Sequence, residues 1–331
     1  MNTVRILLCL ILGAAAVWVV RTYSSYRREM AAVRARLAVG SAVLRTGHGA
    51  VEYAVEGDGP AVLALHGAGG GYDQGLWAAR MAFGDGYKII SASRYGYLRT
   101  PLPADASIRS QAAQYRDLLD ELRIPRVIVL GVSAGGPSAT QFANDYPERT
   151  TALVLISAVS QASAAGDKPA FFVGMIQAIQ HSDFAYWLVA RFFQPAILNL
   201  MGMPAGVYRN LTPAQKQLAQ AMLDTMHPMS QRYRGTINDG EMILRAGPAT
   251  AGICAPVLIL HAKDDALVSY RHAIHAHEAI PGSRLVLFET GGHGLLPRAE
   301  EVRRDVREFS GKRGDRIAYS SAVCNSSAGG R

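Results

Sequence analysis

Short apolar runs alternate with helical patterns through most of the chain. Seven runs rich in β-branched and other apolar residues predict strands at Ala50–Val55, Ala61–Leu65, Lys88–Ala92, Arg126–Leu130, Ala152–Ile156, Pro256–Leu260 and Arg284–Phe288. Helical periodicity predicts helices at Ser107–Leu122, Gly135–Asp145, Arg271–Ala279 and Arg298–Phe309. Continuous apolar strands are typical of parallel strands that are covered by helices on both faces. The pattern therefore predicts an α/β fold with a doubly wound, mostly parallel sheet.

The alternation stops once, between residues 161 and 250. This block has no convincing strand pattern, and it predicts helices at Ala170–Ile179, Phe184–Phe193, Pro213–Met226 and Ser230–Leu244. It holds seven of the ten methionines and five of the nine phenylalanines. Most of these side chains are expected to form the core of a small helical layer, but some should line an apolar pocket. We predict an inserted helical cap at 161–250 between two core segments, 41–160 and 251–310.

The N-terminus carries fifteen uninterrupted apolar or small residues at positions 6–20. A comfortable membrane span needs about 20 residues, so the run fits a short anchor or a signal peptide. The flank that follows is rich in arginine, at positions 21, 27, 28, 34 and 36. By the positive-inside rule, we expect the segment 1–40 to be a membrane anchor that leaves the body in the cytoplasm. Export after signal cleavage and a buried N-terminal helix are the alternatives.

The remaining composition narrows the possible functions. The net charge of +8 is concentrated near the two termini, so the middle of the chain is close to neutral and a nucleic-acid partner is not expected. Residues 311–331 are poor in apolar periodicity and predict a flexible tail. Three cysteines cannot form a disulfide framework, so no structural disulfide is expected.

A candidate nucleophile follows the predicted strand Arg126–Leu130. Gly131-Val132-Ser133-Ala134-Gly135 is a G-x-S-x-G pattern that lies between a strand and a helix. In that position the turn is tight enough to strain the serine backbone, and small neighbours prevent collisions. The helix N-terminus beside Ser133, with the N–H of Ala134, favours a developing oxyanion.

Serine is a poor nucleophile unless a histidine acts as its base and a carboxylate orients that histidine. His293 follows the last predicted strand, and Asp264 and Asp265 follow the preceding one. The loops after parallel strands meet at one edge of the sheet, where ligands bind in open α/β folds. Ser133, His293 and one of the two aspartates are therefore expected to converge. The histidines at 272, 275 and 277 do not complete a metal-ligand set, and no metal site is expected.

Four motifs together resemble the α/β-hydrolase superfamily over about residues 45–310. They are HGAGGG (66–71), GVSAGG (131–136), HAKDD (261–265) and GGHG (291–294). The resemblance implies a Ser–Asp–His order, a lid after the sixth core strand, and Asp265 as the acid. It also implies that Ala68, with Gly69 as the alternative, supplies the first oxyanion donor beside Ala134. Ser133 argues against the relatives that use aspartate as nucleophile, namely dehalogenases and epoxide hydrolases.

These observations predict a serine hydrolase that cleaves carboxylic esters or related acyl compounds. The cap contains 12 charged residues in its whole length, which favours a small-molecule substrate with an apolar moiety. No cofactor is required by this chemistry. The alternatives are a perhydrolase or carbon–carbon bond hydrolase with the same triad, and a hydrolase-fold protein that binds without turnover.

Overall fold

Eight strands form one mostly parallel sheet. The structure is a computed structural model, and it describes residues 3–162, 179–245 and 247–314. The strands are β1 (Ala42–Thr46), β2 (Gly49–Glu56), β3 (Ala61–Leu65), β4 (Lys88–Ala92), β5 (Val127–Val132), β6 (Thr150–Ile156), β7 (Val257–Ala262) and β8 (Arg284–Phe288). Their order across the sheet is β1-β2-β4-β3-β5-β6-β7-β8. Only the β1–β2 and β2–β4 pairs are antiparallel, which confirms the predicted fold class.

Helices cover both faces of the sheet. The helices are α1 (Thr3–Val39), α2 (Tyr72–Phe83), α3 (Ile108–Glu121), α4 (Gly136–Asp145), α5 (Asp183–Phe192), α6 (Gln194–Leu200), α7 (Ala205–Arg209), α8 (Pro213–Asp224), α9 (Tyr233–Arg245), α10 (Arg271–Ala279) and α11 (Ala299–Gly314). Side chains of α2 and α11 share one buried cluster with the sheet, and those of α3, α4 and α10 share the other. Both faces of β3, β5 and β7 are therefore buried, as their continuous apolar sequences require.

All seven predicted strands are present, but β1 and α2 were not predicted. β1 is an antiparallel edge strand with no buried residue, so it lacks an apolar face that a pattern could reveal. Nine of the twelve residues of α2 are buried, so that helix lacks the polar face that marks an amphipathic helix. Helix α11 continues to Gly314, past the predicted end of the core at 310, and the rest of the predicted tail lies outside the described residues.

The segment between β6 and β7 is helical where it is described. Of the predicted cap at 161–250, this helical part is residues 179–245. Its helices α5, α8 and α9 match three of the four predicted ones, and the fourth, Ala170–Ile179, lies outside the described residues except at its end. The short helices α6 and α7 were not predicted. The cap has its own apolar core, and Arg232 ties it to α2 through two 2.9 Å hydrogen bonds to the carboxylate of Asp73.

Helix α1 is the N-terminal element and runs unbroken from the apolar run through the arginine-rich flank. It contains an 18-residue window with a mean hydropathy of 2.4, of which 0% is buried. By length and composition this helix can cross a membrane, and the same length and composition also occur in signal sequences. The expectation of no structural disulfide is wrong, because Cys254 is disulfide-bonded, whereas Cys9 is free and exposed.

Candidate active site

Ser133 occupies the sharp turn between β5 and α4. Its φ angle is +51°, a region that residues other than glycine seldom adopt. A Cβ on Gly131 would lie 2.6 Å from the Cβ of Ala139, and one on Gly135 would lie 2.6 Å from the carbonyl oxygen of His66. Only glycine fits at these two positions, and together they allow the turn that presents the Ser133 hydroxyl at the end of the sheet.

His293 reaches Ser133 from the loop after β8. Its Nε2 lies 3.0 Å from the Oγ of Ser133, and its Nδ1 lies 2.8 Å from Oδ2 of Asp265. A carboxylate only accepts hydrogen bonds, so Nδ1 carries the proton and Nε2 is free to accept from the serine hydroxyl. The main-chain N–H of His293 donates to the carbonyl of Gly202, and this hydrogen bond holds the loop of His293 against the cap. The structure thus brings the three predicted side chains together.

The two adjacent aspartates have different contacts. Asp265 accepts hydrogen bonds from the N–H groups of Leu267 and Val268, each at 2.9 Å, besides that from His293. Asp264 instead accepts from the N–H groups of Gly291 and Gly292, both at 2.8 Å. Asp265 therefore holds the imidazole of His293, whereas Asp264 holds the loop that carries it.

His261, near the end of strand β7, is also part of this site. Its Nε2 lies 3.1 Å from Oδ2 of Asp265 and 2.9 Å from the carbonyl oxygen of Val268, so Nε2 carries the proton. Burial raises the pKa of Asp265, but hydrogen bonds from His261 and His293 outweigh burial and hold that pKa well below its usual value. Asp265 therefore stays ionised. In the sequence, this contact is indicated by the position of His261 four residues before Asp265.

Two predicted oxyanion donors border the serine, and the third is engaged elsewhere. The loop 66–71, which we call the oxyanion loop, packs on Ser133, since a Cβ on Gly67 would lie 3.2 Å from the serine Cβ. Within the described residues, the N–H of Ala68 has no main-chain acceptor. Ala134 lies in the first turn after β5, where N–H groups have no helical partner. Gly69 donates its N–H to the phenol oxygen of Tyr97 at 3.3 Å, so the geometry does not favour it as a donor.

A buried polar network braces this edge of the sheet. Arg94 forms two 2.5 Å hydrogen bonds with the carboxylate of Asp239 on α9 and a 3.2 Å hydrogen bond with the carbonyl of Ala134. Tyr97 donates to the same carboxylate at 2.5 Å. The network joins the loop after β4 to the cap, to the oxyanion loop through Gly69, and to the turn at Ala134. Sequence reasoning missed it, because nothing in the pattern pairs residues so distant along the chain.

The buried side chain of His66 holds the oxyanion loop through hydrogen bonds. Its Nδ1 lies 2.7 Å from the carbonyl oxygen of Gly67, and its Nε2 accepts from the main-chain N–H of Arg94 at 3.0 Å. Burial, followed by the charge of Arg94, holds the pKa of His66 well below its usual value. The ring is therefore neutral and fixes one tautomer, as a structural residue would.

An apolar cavity of about 190 Å³ opens beside the oxyanion loop. The residues around it include Ala68, Gly69, Tyr186, Ile197, Leu200, Met201, Met226 and Met229. Most of these side chains belong to the cap, as the sequence predicted for part of its apolar content. In the described part of the chain, no group of three His, Cys, Asp or Glu side chains is placed to hold a metal ion.

Fold and site together define the class of the protein. A strained serine after the fifth strand, with a histidine and an aspartate on later loops of the same edge, is the arrangement that α/β-type hydrolases use. The chain belongs to the α/β hydrolase fold family, whose model matches residues 60–297. The resemblance given by the four motifs is thereby confirmed.

Individual relatives agree with the enzyme class. The uncharacterized hydrolase YcgS of Bacillus subtilis strain 168 is 31% identical over 255 residues, which cover 74% of this chain and 88% of that protein. The 2-hydroxy-6-oxononadienedioate/2-hydroxy-6-oxononatrienedioate hydrolase of Paraburkholderia xenovorans is 27% identical over 75% of this chain and 86% of its own length. The structure of an α/β hydrolase fold protein from Nakamurella multipartita superposes with a TM-score of 0.70 at 28% identity, covering 81% and 98% of the two chains. The chain is thus a hydrolase, as predicted.

Proposed function

We propose that this hydrolase cleaves carboxylic esters, or related acyl compounds with an apolar moiety, through an acyl-enzyme on Ser133. The observation that carries the proposal is the continuous chain of hydrogen bonds from Ser133 Oγ to His293 Nε2 at 3.0 Å and from His293 Nδ1 to Asp265 at 2.8 Å. Such a chain activates a serine for attack on a carbonyl carbon.

In the first half of the reaction, Ser133 Oγ attacks the ester carbonyl while His293 Nε2 takes its proton. The carbonyl oxygen becomes an oxyanion, which the N–H groups of Ala68 and Ala134 stabilise. His293 then gives the proton to the departing alkoxide. In the second half a water molecule, deprotonated by His293, releases the acid from Ser133. Asp265 remains a carboxylate throughout and stabilises the imidazolium, in keeping with its lowered pKa.

The cavity beside the oxyanion loop supports an apolar acyl group as the bound part of the substrate. Its volume of about 190 Å³ is below the range of roughly 300–1,000 Å³ that is typical of sites for larger ligands. We therefore expect short and medium acyl chains to react faster than long ones.

A panel of p-nitrophenyl esters of graded acyl length tests this proposal. Replacing Ser133 by alanine should lower kcat by about 10⁶-fold, because the nucleophile is lost. A fluorophosphonate probe should label the parent protein and leave Ser133→Ala unlabelled. The matched control is Ser138→Ala, a buried serine in the following helix that bonds to the carbonyl of Gly135. If the parent protein is neither labelled nor active on any ester, the proposal fails and a binding role replaces it.

A second candidate reaction is the hydrolysis of a carbon–carbon bond. The Paraburkholderia relative, which is named for a 2-hydroxy-6-oxo dienedioate substrate, favours it. Against it, Gly294 follows His293, whereas carbon–carbon bond hydrolases often have a tryptophan directly after the catalytic histidine. Turnover of a vinylogous diketone substrate at a rate above that of every ester in the panel would favour this reaction over ester cleavage.

We also propose that residues 6–20 anchor the protein to a membrane. The exposed apolar window of α1 supports this, and the following arginines favour a cytoplasmic body. The disulfide at Cys254 favours the opposite side, since disulfides persist in oxidising compartments. Protease protection of the body in sealed, right-side-out membrane vesicles decides between the two. Digestion of the body from outside would contradict the cytoplasmic placement.

A further inference from the structure

The apolar run of α1 contacts the cap close to the end of the run. Trp18 lies near the end of the run and is 58% exposed. Its ring lies 6.4 Å from the ring of Phe192, at the end of α5. Arg21, the first charged residue after the run, follows Trp18 by three residues, which is about 5 Å along a helix axis. Phe192 therefore lies at the boundary between the apolar run and the basic flank.

The second half of α1 is fixed against the same helix of the cap. The ring of Tyr26 contacts Phe184 and Trp187 at 5.1 and 5.7 Å. Trp187 donates its Nε1–H to Glu29 at 2.6 Å, and Arg34 pairs with Asp183 at 3.1 Å. Because α1 and α5 are held at several points, the cap cannot move far from the apolar run without breaking these contacts.

The cap exposes aromatic side chains beside the end of the apolar run. Phe192 is 49% exposed and Phe193 is 55% exposed, and they follow each other between α5 and α6. We call Phe192 and Phe193 the cap edge. Phenylalanine is one of the residue types that surface-bound proteins bury at the boundary between the headgroups and the acyl chains of a bilayer.

We propose that the cap edge rests in the headgroup layer of an anionic bilayer, as a second membrane contact beside the anchor. The inference rests on the proposed anchoring through residues 6–20. If Trp18 lies at the interface, its contact with Phe192 brings the cap edge to the same depth. Arg21, Arg27 and Arg28 follow Trp18 within ten residues, about 15 Å along the helix axis, so the part of the basic flank nearest the headgroups is complementary to anionic lipid.

This contact would relate the membrane to the candidate active site. Tyr186 on α5 and Ile197 and Leu200 on α6 line the apolar cavity, and the cap edge connects these two helices. The helices that border the cavity are thus the helices that contact lipid. An apolar ester dissolved in the bilayer would meet the protein next to the cavity.

Environment-sensitive fluorescence on the full chain tests the proposal. Phe193→Cys is made in a Cys9→Ser background, labelled with an NBD dye, and reconstituted into vesicles of phosphatidylglycerol and phosphatidylcholine. Val43→Cys, an exposed site on edge strand β1, is the matched control. The Cys9→Ser background alone gives the signal to subtract. We expect blue-shifted emission at position 193 and several-fold stronger quenching by a headgroup nitroxide lipid than at position 43.

Each other outcome overturns the proposal in a distinguishable way. Protein that floats with the vesicles but shows equal quenching at the two positions retains the anchor and excludes lipid contact by the cap edge. A shift that persists in detergent and grows with protein concentration assigns the cap edge to a second copy of the chain. Failure to float removes the anchor and this proposal with it, while ester turnover still reports on the candidate active site. Phe192→Cys, labelled in the same way, checks that the result does not depend on one substitution.

Discussion

Asp264 and Asp265 are adjacent in sequence, yet their side chains support His293 in different ways. Asp265 bonds to the imidazole, so Asp265→Asn should lose the correct tautomer and lower kcat by about 10⁴-fold. Asp264 bonds to main-chain N–H groups of the loop and not to the imidazole, so Asp264→Asn should cost much less, about 10-fold, through a loosened loop. Steady-state kinetics on a p-nitrophenyl ester measures both. A larger loss in Asp264→Asn would reverse the assignment of the acid.

His227 is a buried residue whose protonation should destabilise the protein. Burial, followed by the charge of Arg232, lowers the pKa of His227 to about 4, and no partner within the described residues bonds its Nδ1. The unfolded chain binds this proton below about pH 6.5, whereas the folded chain binds it only below about pH 4. Stability should therefore fall as the pH decreases through this window and be unaffected by His227 above it.

The effect can be isolated by substitution. Between about pH 7 and about pH 5, His227 should account for about 2 kcal/mol of lost unfolding free energy. In His227→Gln that part of the loss should disappear, while the loss due to buried His66 remains in both proteins. Urea unfolding at the two pH values measures the difference. Equal losses of unfolding free energy in the parent and the variant would show that His227 has the same pKa in the folded and the unfolded parent protein.

Residues with a local signature could be predicted from the sequence, and residues defined by distant contacts could not. Ser133 and His293 lie in glycine-rich motifs directly after strands, so their place at the sheet edge follows from the strand pattern. Asp239 has no such signature. It meets Arg94 only because the cap folds back over the sheet, across 145 positions of the chain. Long-range packing of this kind leaves no periodic trace.

At the scale of elements, the turn between β5 and α4 depends on its glycines. Gly135→Ala would bring a Cβ against the carbonyl oxygens of Leu65 and His66, at 2.6 Å from the latter. The end of the buried strand β3 and the start of the oxyanion loop must shift to make room, so we expect a loss of about 3 kcal/mol of unfolding free energy and a displaced oxyanion loop. Denaturant unfolding and ester turnover should both record the damage.

Gly206 in α7 is the matched control for this prediction. A Cβ placed there meets no atom within 4 Å, so Gly206→Ala should be neutral or stabilise by up to about 1 kcal/mol, through its higher helix propensity. If Gly135→Ala were as stable and active as Gly206→Ala, the close approach of the turn to the oxyanion loop would be disproved.

The elements followed the same division between local pattern and tertiary context. Central strands such as β5 have continuous apolar sequences and were predicted within two residues of their ends. The exposed edge strand β1 and the almost fully buried helix α2 lack the contrast between an apolar and a polar face on which prediction depends. Their structure is imposed by neighbouring elements.

At the scale of the whole molecule, α1 belongs to two environments. Its apolar run makes up the unburied N-terminal half, whereas its buried residues Thr22, Met30 and Leu37 all lie in the second half. Leu37 belongs to the core cluster that α2 and α11 form with one face of the sheet, and Glu29 accepts a hydrogen bond from Trp187 of the cap. The second half of α1 is thus part of the folded body.

Two truncations should therefore behave differently. Residues 3–20 have no buried side chain, so protein that lacks residues 1–20 should keep the thermal midpoint and ester turnover of the full chain while losing membrane association. Removing residues 1–39 also uncovers the partners of Met30 and Leu37 and leaves Trp187 without its acceptor, and should cost about 4 kcal/mol of unfolding free energy. Thermal unfolding of both proteins measures the contrast. Equal midpoints would mean that α1 contributes nothing to the body beyond its apolar run, and the contacts between α1 and the cap would then be too weak to hold the cap edge at the membrane.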